Sequence, residues 1–206
     1  MPGPDSQFWQ DRFERHNTPW DRGGPSPQLQ RWLDDGSLSP ASIDGRIAVP
    51  GCGAGHEVAA LAGRGFDVVA LDYAPAAVAL TRSRLAQASL QAAVVQADVL
   101  VWQPDSPLAA VYEQTCLCAL HPDHWTAYAA QLRAWLRSGA PLFALFMQMP
   151  REAAAQGEIV GPPYHCDINA MRALFPDPLW QWPKPPYAQV PHAMGMRELA
   201  VVLRRR

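Results

Sequence analysis

Residues 46–58, RIAVPGCGAGHEV, constrain the fold of this chain more than any other stretch. A short apolar run ends at Pro50, glycines follow at positions 51, 53 and 55, and a helix-like segment begins at His56. Glycine at every second position lets a backbone turn tightly and lets a ligand approach it closely. A buried strand that ends in such a turn and feeds a helix is the opening unit of an α/β sheet.

The rest of the chain continues that pattern. Residues 47–49, 67–71, 92–96, 108–113, 142–147 and 199–203 read as short apolar strands. Between them 56–63, 75–87, 124–136 and 167–174 read as helices, with Pro75 in a favoured first-turn position and Asp167 as an N-cap. Apolar strands separated by helices predict a mostly parallel sheet covered on both faces, a doubly wound α/β fold. Ligands of such folds bind beyond the carboxyl ends of the strands. Function is therefore expected in the loops after Val49, Leu71, Gln96, Glu113 and Met147. The 206 residues suit one domain, 1–206, with a core over 41–206 and an N-terminal helical lid over 1–40. Phe8, Trp9 and Phe13 stand at near-helical spacing there, and Trp20 and Trp32 follow.

Charge and composition exclude several partners. The formal net charge is -2, and Arg204–Arg206 is the only basic run, which argues against a nucleic-acid partner. No stretch approaches the roughly 18 apolar residues that span a bilayer, and the first ten residues lack the regions of a signal peptide. No membrane partner is expected, and the cytoplasm is the default location. Four cysteines, Cys52, Cys116, Cys118 and Cys166, are too few for a disulfide scaffold in a chain of this size. Cys116, Cys118, His121 and His124 fall close together, but structural zinc sites more often use two separated pairs. They read as thiols that pack or line a pocket mouth, and no metal is expected.

Three ligands compete for the glycine turn. A triphosphate loop needs Lys-Ser or Lys-Thr after its last glycine, and His56-Glu57 stands there instead. A dinucleotide turn reads G-x-G-x-x-G, and Glu57 would set a carboxylate where a helix N-terminus meets a pyrophosphate. S-adenosyl-L-methionine carries a ribose and an adenine without phosphate, and its amino-acid end can lie against a small-residue backbone. It calls for an acid after the second strand to hold the ribose hydroxyls, and Asp72 is there. It calls for a polar group after the third strand, and Asp98-Val99 follows.

Several segments spread through the chain carry a resemblance. Residues 18–23 are TPWDRG, 48–58 are AVPGCGAGHEV, and 161–164 are GPPY. Together with Leu71-Asp72 and Ala97-Asp98-Val99, they are similar to the thiopurine S-methyltransferase family. Within it they most resemble the plant and bacterial thiol and halide methyltransferase branch. The likeness covers roughly residues 8–175. It departs from the family pattern at Glu113, where the family has Asp, at Val160, where it has Gly, and over 187–197. The resemblance implies a Rossmann-like, seven-stranded sheet and S-adenosyl-L-methionine as cofactor, released as S-adenosyl-L-homocysteine. It also implies a small-molecule methyl acceptor and a monomer or weak dimer.

Site roles follow from both readings. Gly51, Gly53 and Gly55 are expected against the methionine portion, Asp72 on the ribose, Tyr73 over adenine or ribose, and Asp98 with Val99 at the adenine. Glu113 is expected at the cofactor amine or near the transferring methyl. Trp20 and Trp9 cover cofactor and acceptor, and Cys118, Met147 and Tyr164 line the acceptor side. Methyl transfer from a sulfonium needs alignment and the exclusion of water, so no catalytic dyad is required. A thiol such as sulfide, a small organic thiol or a thiopurine-like compound is the first acceptor, with halide allowed. Two alternatives stay open: O- or N-methylation, with Glu113, His121 or His165 as base, and a cofactor-binding module without catalysis.

Overall fold

The apolar runs form strands because both of their faces can be buried. In β1 (Ile47–Pro50), β2 (Val68–Asp72), β4 (Ala110–Gln114) and β5 (Pro141–Gln148), nearly every residue is buried. Side chains alternate across a strand, so successive residues feed two different cores. Ile47, Val49, Val68, Ala70, Tyr112 and Phe143 face one of them. Ala48, Val69, Leu71, Val111, Ala144 and Phe146 face the other. Helices α2 (Pro27–Asp34), α3 (His56–Gly63) and α4 (Pro75–Gln87) cover the first face with Leu29, Trp32, Val58, Leu61 and Leu85. Helices α6 (Trp125–Trp135) and α7 (Ile168–Leu174) cover the second with Tyr128, Leu132, Trp135 and Met171.

The computed structural model describes residues 3–149, 152, 156–192 and 195–206. Its sheet runs β3–β2–β1–β4–β5–β8, with β3 spanning Ala93–Gln96 and β8 spanning Arg197–Arg205. The first five of these strands pair in parallel, and β8 lies antiparallel to β5. Two short strands share the outer edge of β8: β6 (Trp180–Gln181) near its end and β7 (Ala188–Pro191) near its start. Among the described residues the sheet has eight strands, where six were read from the apolar runs and seven from the resemblance. From β1 the chain winds outward through β2 and β3, then crosses to β4 and β5 on the other side. The crevice beyond β1 and β4 is the topological switch point, where ligands of such sheets bind.

Helix α1 (Ser6–Glu14) and the residues around it close this crevice. Asp5 caps α1 by accepting the Phe8 N–H at 2.8 Å. The helix docks on the turn after β2: Ser6 Oγ donates to the Tyr73 carbonyl at 3.2 Å, and the Ala76 N–H donates to Gln10 Oε1 at 2.8 Å. Helix α2, with Ser26 as N-cap and Pro27 at its first turn, falls within the span read as a helical lid, but Leu29 and Trp32 pack it on the sheet and it does not line the crevice. The fourth strand starts two residues later than expected, because Leu108 forms an isolated bridge to Leu136 instead. Part of the divergent 187–197 stretch forms β7, while Ala193 and Met194 lie outside the described residues. Among the described residues, no helix is long and apolar enough to cross a membrane.

Candidate functional site

The glycine turn is held by one carboxylate. Asp72, at the end of β2, accepts the Gly53 N–H through Oδ2 and the Ala74 N–H through Oδ1, both at 2.9 Å. It thereby ties the turn after β1 to the turn after β2. Burial pushes its carboxyl above the usual range, against the pull of those N–H groups. Thr81 of α4 adds a hydroxyl bond to the Gly53 carbonyl at 2.9 Å. Gly51 has φ +61°, and a Cβ there would lie 3.0 Å from that of Cys116, so only glycine lets the β1 and β4 loops meet. Gly55, with φ +75°, would drive a Cβ to 2.9 Å from the Thr81 backbone.

A cavity of about 560 Å³ opens above this turn. Gly51, Gly53 and Asp72 line it, with Tyr73 on the same side. Asp98 and Val99 contribute from the loop after β3, where Asp98 accepts the Leu100 N–H at 2.8 Å. Thr115, Cys116 and Cys118 contribute from the loop after β4, and Met147 from β5. Trp9, Phe13 and Trp20 contribute from the N-terminal segment. Trp20 meets Trp9 and Phe13 edge-on, with ring centroids 5.6 and 5.9 Å apart. Three carboxylates (Asp5, Asp72, Asp98) and one guanidinium (Arg12) line the cavity among the described residues.

The structure thus brings together Trp9, Trp20, Gly51, Gly53, Asp72, Tyr73, Asp98, Val99, Cys118 and Met147. Three expected residues stand outside the lining. Gly55 serves the close packing of α3 on α4. Glu113 is fully buried and turned into the protein, where its Oε1 accepts the Leu117 N–H at 2.7 Å and anchors α5 (Cys116–Ala119). Burial pushes the Glu113 carboxyl up to about 8, and its Oε2 has no hydrogen-bond partner. Its carboxyl group holds the turn, which keeps it from the cavity. Tyr164 braces the wall from behind: its N–H donates to the Cys118 carbonyl at 2.7 Å, and its ring meets His121 edge-on at 5.4 Å. Pro162 and Pro163 line the cavity in its place.

Sequence reasoning missed several lining residues. Thr115 holds a left-handed backbone at φ +63°, a costly conformation at a loop position already marked for function. His192 and Met196 come from the connection between β7 and β8. A smaller compartment of about 70 Å³ adjoins the glycine turn and is lined by Arg22, Glu57, Gln114 and His192, among others. The cysteines are neutral: burial pushes the thiols of Cys116, Cys118 and Cys166 well up. Among the described residues, no three His, Cys, Asp or Glu side chains are grouped to hold a metal.

The chain is similar to known proteins in sequence and in fold. The family model described as thiopurine S-methyltransferase (TPMT) matches residues 4–184. The chain is 29% identical to thiocyanate methyltransferase 1 of Arabidopsis thaliana over 169 residues, 81% of this chain and 70% of that protein. It is 27% identical to the thiopurine S-methyltransferase of Pseudomonas putida over 175 residues, 76% of each chain. Its fold is similar to that of Burkholderia thailandensis 1,6-didemethyltoxoflavin-N1-methyltransferase, with a TM-score of 0.73 at 16% identity. That match covers 97% of this chain and 86% of the other.

Proposed function

The chain belongs to the thiopurine S-methyltransferase family, and on that premise we propose that its cavity holds S-adenosyl-L-methionine beside a small thiol acceptor. The carrying observation is Asp72. It is a buried carboxylate on the cavity wall, fixed by two backbone N–H groups and set beside glycines whose main chain lies open. Such a group accepts hydrogen bonds from sugar hydroxyls and repels phosphate. The carboxylate excess around the cavity favours a phosphate-free, cationic ligand in the same way.

Bound there, the cofactor supplies a methyl group activated by its sulfonium. The protein's residues do the rest. Asp72 holds the ribose, Asp98 and the Val99 main chain flank the adenine, and Gly51 and Gly53 leave room for the amino-acid end. Trp9, Phe13 and Trp20 form a lid that keeps water from the reacting atoms, which favours an anionic nucleophile stripped of its hydration. Cys118, Met147 and Met196 give the acceptor a soft, polarizable wall. With Glu113 committed to α5, it does not serve as a base at the acceptor side. That suits a thiol, which ionises near ~8.5 unaided, better than a phenol or an amine.

A panel of sulfide, small alkyl thiols, aromatic thiols, iodide, phenols and amines, assayed with methyl-labelled cofactor, tests this reading. Methylation of thiols above all others is expected. Activity confined to phenols or amines would overturn it, and cofactor binding with no product on any acceptor would favour a binding module.

A further inference from the structure

One buried polar cluster, built on Arg22, Gln114 and Glu198, stands outside the lining of the main cavity. Arg22 donates through one guanidinium nitrogen to the Pro191 carbonyl at 2.6 Å and through the other to Glu198 Oε2 at 2.8 Å. The Glu198 side chain is completely buried on β8. Gln114, at the end of β4, donates to both of its oxygens at 3.2 and 3.3 Å, and accepts the Tyr112 hydroxyl at 2.7 Å. One residue earlier, Asp21 pairs with His56 at the start of α3 at 2.9 Å. The segment that carries Trp20 is thus pinned to α3, β7 and β8. Pro191 and Glu198 flank the very connection that sends His192 and Met196 into the cavity.

We propose that the Arg22–Glu198 pair is a latch that holds the Trp20 roof in one arrangement with His192 and Met196, which follow β7 and precede β8, so that both members of the pair are positioning residues for methyl transfer. This rests on the reading of the cavity given above. A buried ion pair is a poor source of stability compared with apolar packing, so its benefit here is sought in geometry. Trp20 and His192 line both compartments, and Met196 lines the larger one. Releasing the pair frees two walls of the cavity at once.

The latch also titrates in the physiological range. Burial pushes the Glu198 carboxyl up to about 7, while Arg22 and Gln114 pull it down. The other ionisable groups coupled to it are Glu57 of α3, Tyr112 and Glu113 of β4, and Cys118 of α5. Asp21, His56 and His192 line the adjoining compartment. Below about pH 7 a proton on Glu198 removes half of the ion pair, and above it the pair is complete.

The test is steady-state kinetics and S-adenosyl-L-homocysteine binding from pH 6 to 8.5, on the wild-type chain, Glu198→Gln and Arg22→Lys. For the wild type, KM for the cofactor and the dissociation constant of S-adenosyl-L-homocysteine should fall as pH rises through 7. Glu198→Gln, a near-isosteric change, should raise KM for both cofactor and acceptor about tenfold at pH 8 and flatten the cofactor profile. Arg22→Lys keeps the charge but loses the fork that reaches Pro191, and should lie between. Folded variants with wild-type KM values and an unchanged profile would overturn the latch. A wild-type chain that binds no S-adenosyl-L-homocysteine would overturn the cofactor reading, and the latch with it.

Discussion

Asp72→Asn separates the cofactor reading from a purely structural one. The asparagine keeps one oxygen, so either the Gly53 or the Ala74 N–H comes to face an amide NH₂ group instead of an acceptor. Hydrogen bonds to charged groups contribute about 1.5–3 kcal/mol each. Removing a buried charge whose ionisation is already disfavoured offsets part of that loss. A net destabilisation of about 1–2 kcal/mol follows, or roughly 2–8 °C in melting temperature for a chain of this size. Cofactor binding loses a second charge-assisted bond, to the ribose. At about 1.5–3 kcal/mol this weakens the dissociation constant roughly 10- to 150-fold. Calorimetric titration with S-adenosyl-L-homocysteine, paired with thermal melts, reads both. An analogue lacking the ribose hydroxyls should bind wild type and variant within about threefold, because it has no bond to lose. Equal losses for both ligands would mean that Asp72 acts only through the loop. An unchanged dissociation constant would refute the ribose assignment.

Gly55→Ala must place a side chain in a left-handed backbone beside Thr81, whose hydroxyl holds the Gly53 carbonyl. The backbone cost alone is about 1–2 kcal/mol, and chemical denaturation should show at least that; a loss under about 0.5 kcal/mol would contradict the close packing. Trp20→Ala removes two edge-on ring contacts, each typically about 0.5–1.5 kcal/mol. It should weaken S-adenosyl-L-homocysteine binding by about tenfold and lower turnover, and full retained activity would dismiss the aromatic roof. Glu113→Gln tests the buried acid. Its folded carboxyl is raised from 4.5 to about 8, so its contribution to stability is complete below pH 4.5 and is lost as pH rises through 8. Wild-type melting temperature should therefore fall more steeply than that of the variant from about pH 5 to about pH 8 and run level with it above that, and parallel curves over the whole range would contradict the assignment.

The inner strands and the long helices were legible because their signals are local and strong. Runs such as 142–147 are apolar on both faces, and Asp167 caps α7 through its neighbours' N–H groups at 2.8 and 3.4 Å. The floor of the cavity was legible for the same reason: glycine spacing and a strand-ending acid are local patterns. Residues whose role depends on distant partners were not. β6 has two residues and β7 sits in a proline-rich stretch, so neither carries an alternating pattern, and both exist because β8 offers them an edge. Glu113 stands at a functional-looking loop, yet its nearest unsatisfied donor is the backbone of α5. Arg22 and Glu198 lie 176 positions apart, and nothing in either neighbourhood announces the other.

The most direct measurement is a crystal structure with S-adenosyl-L-homocysteine. The ribose should be found on Asp72, the adenine between Asp98 and Val99, and the amino-acid end against Gly51 and Gly53, with its sulfur facing the Cys118 and Met147 wall. A ligand bound elsewhere, or a crevice beyond β1 and β4 that stays empty at saturating concentration, would contradict the assignment.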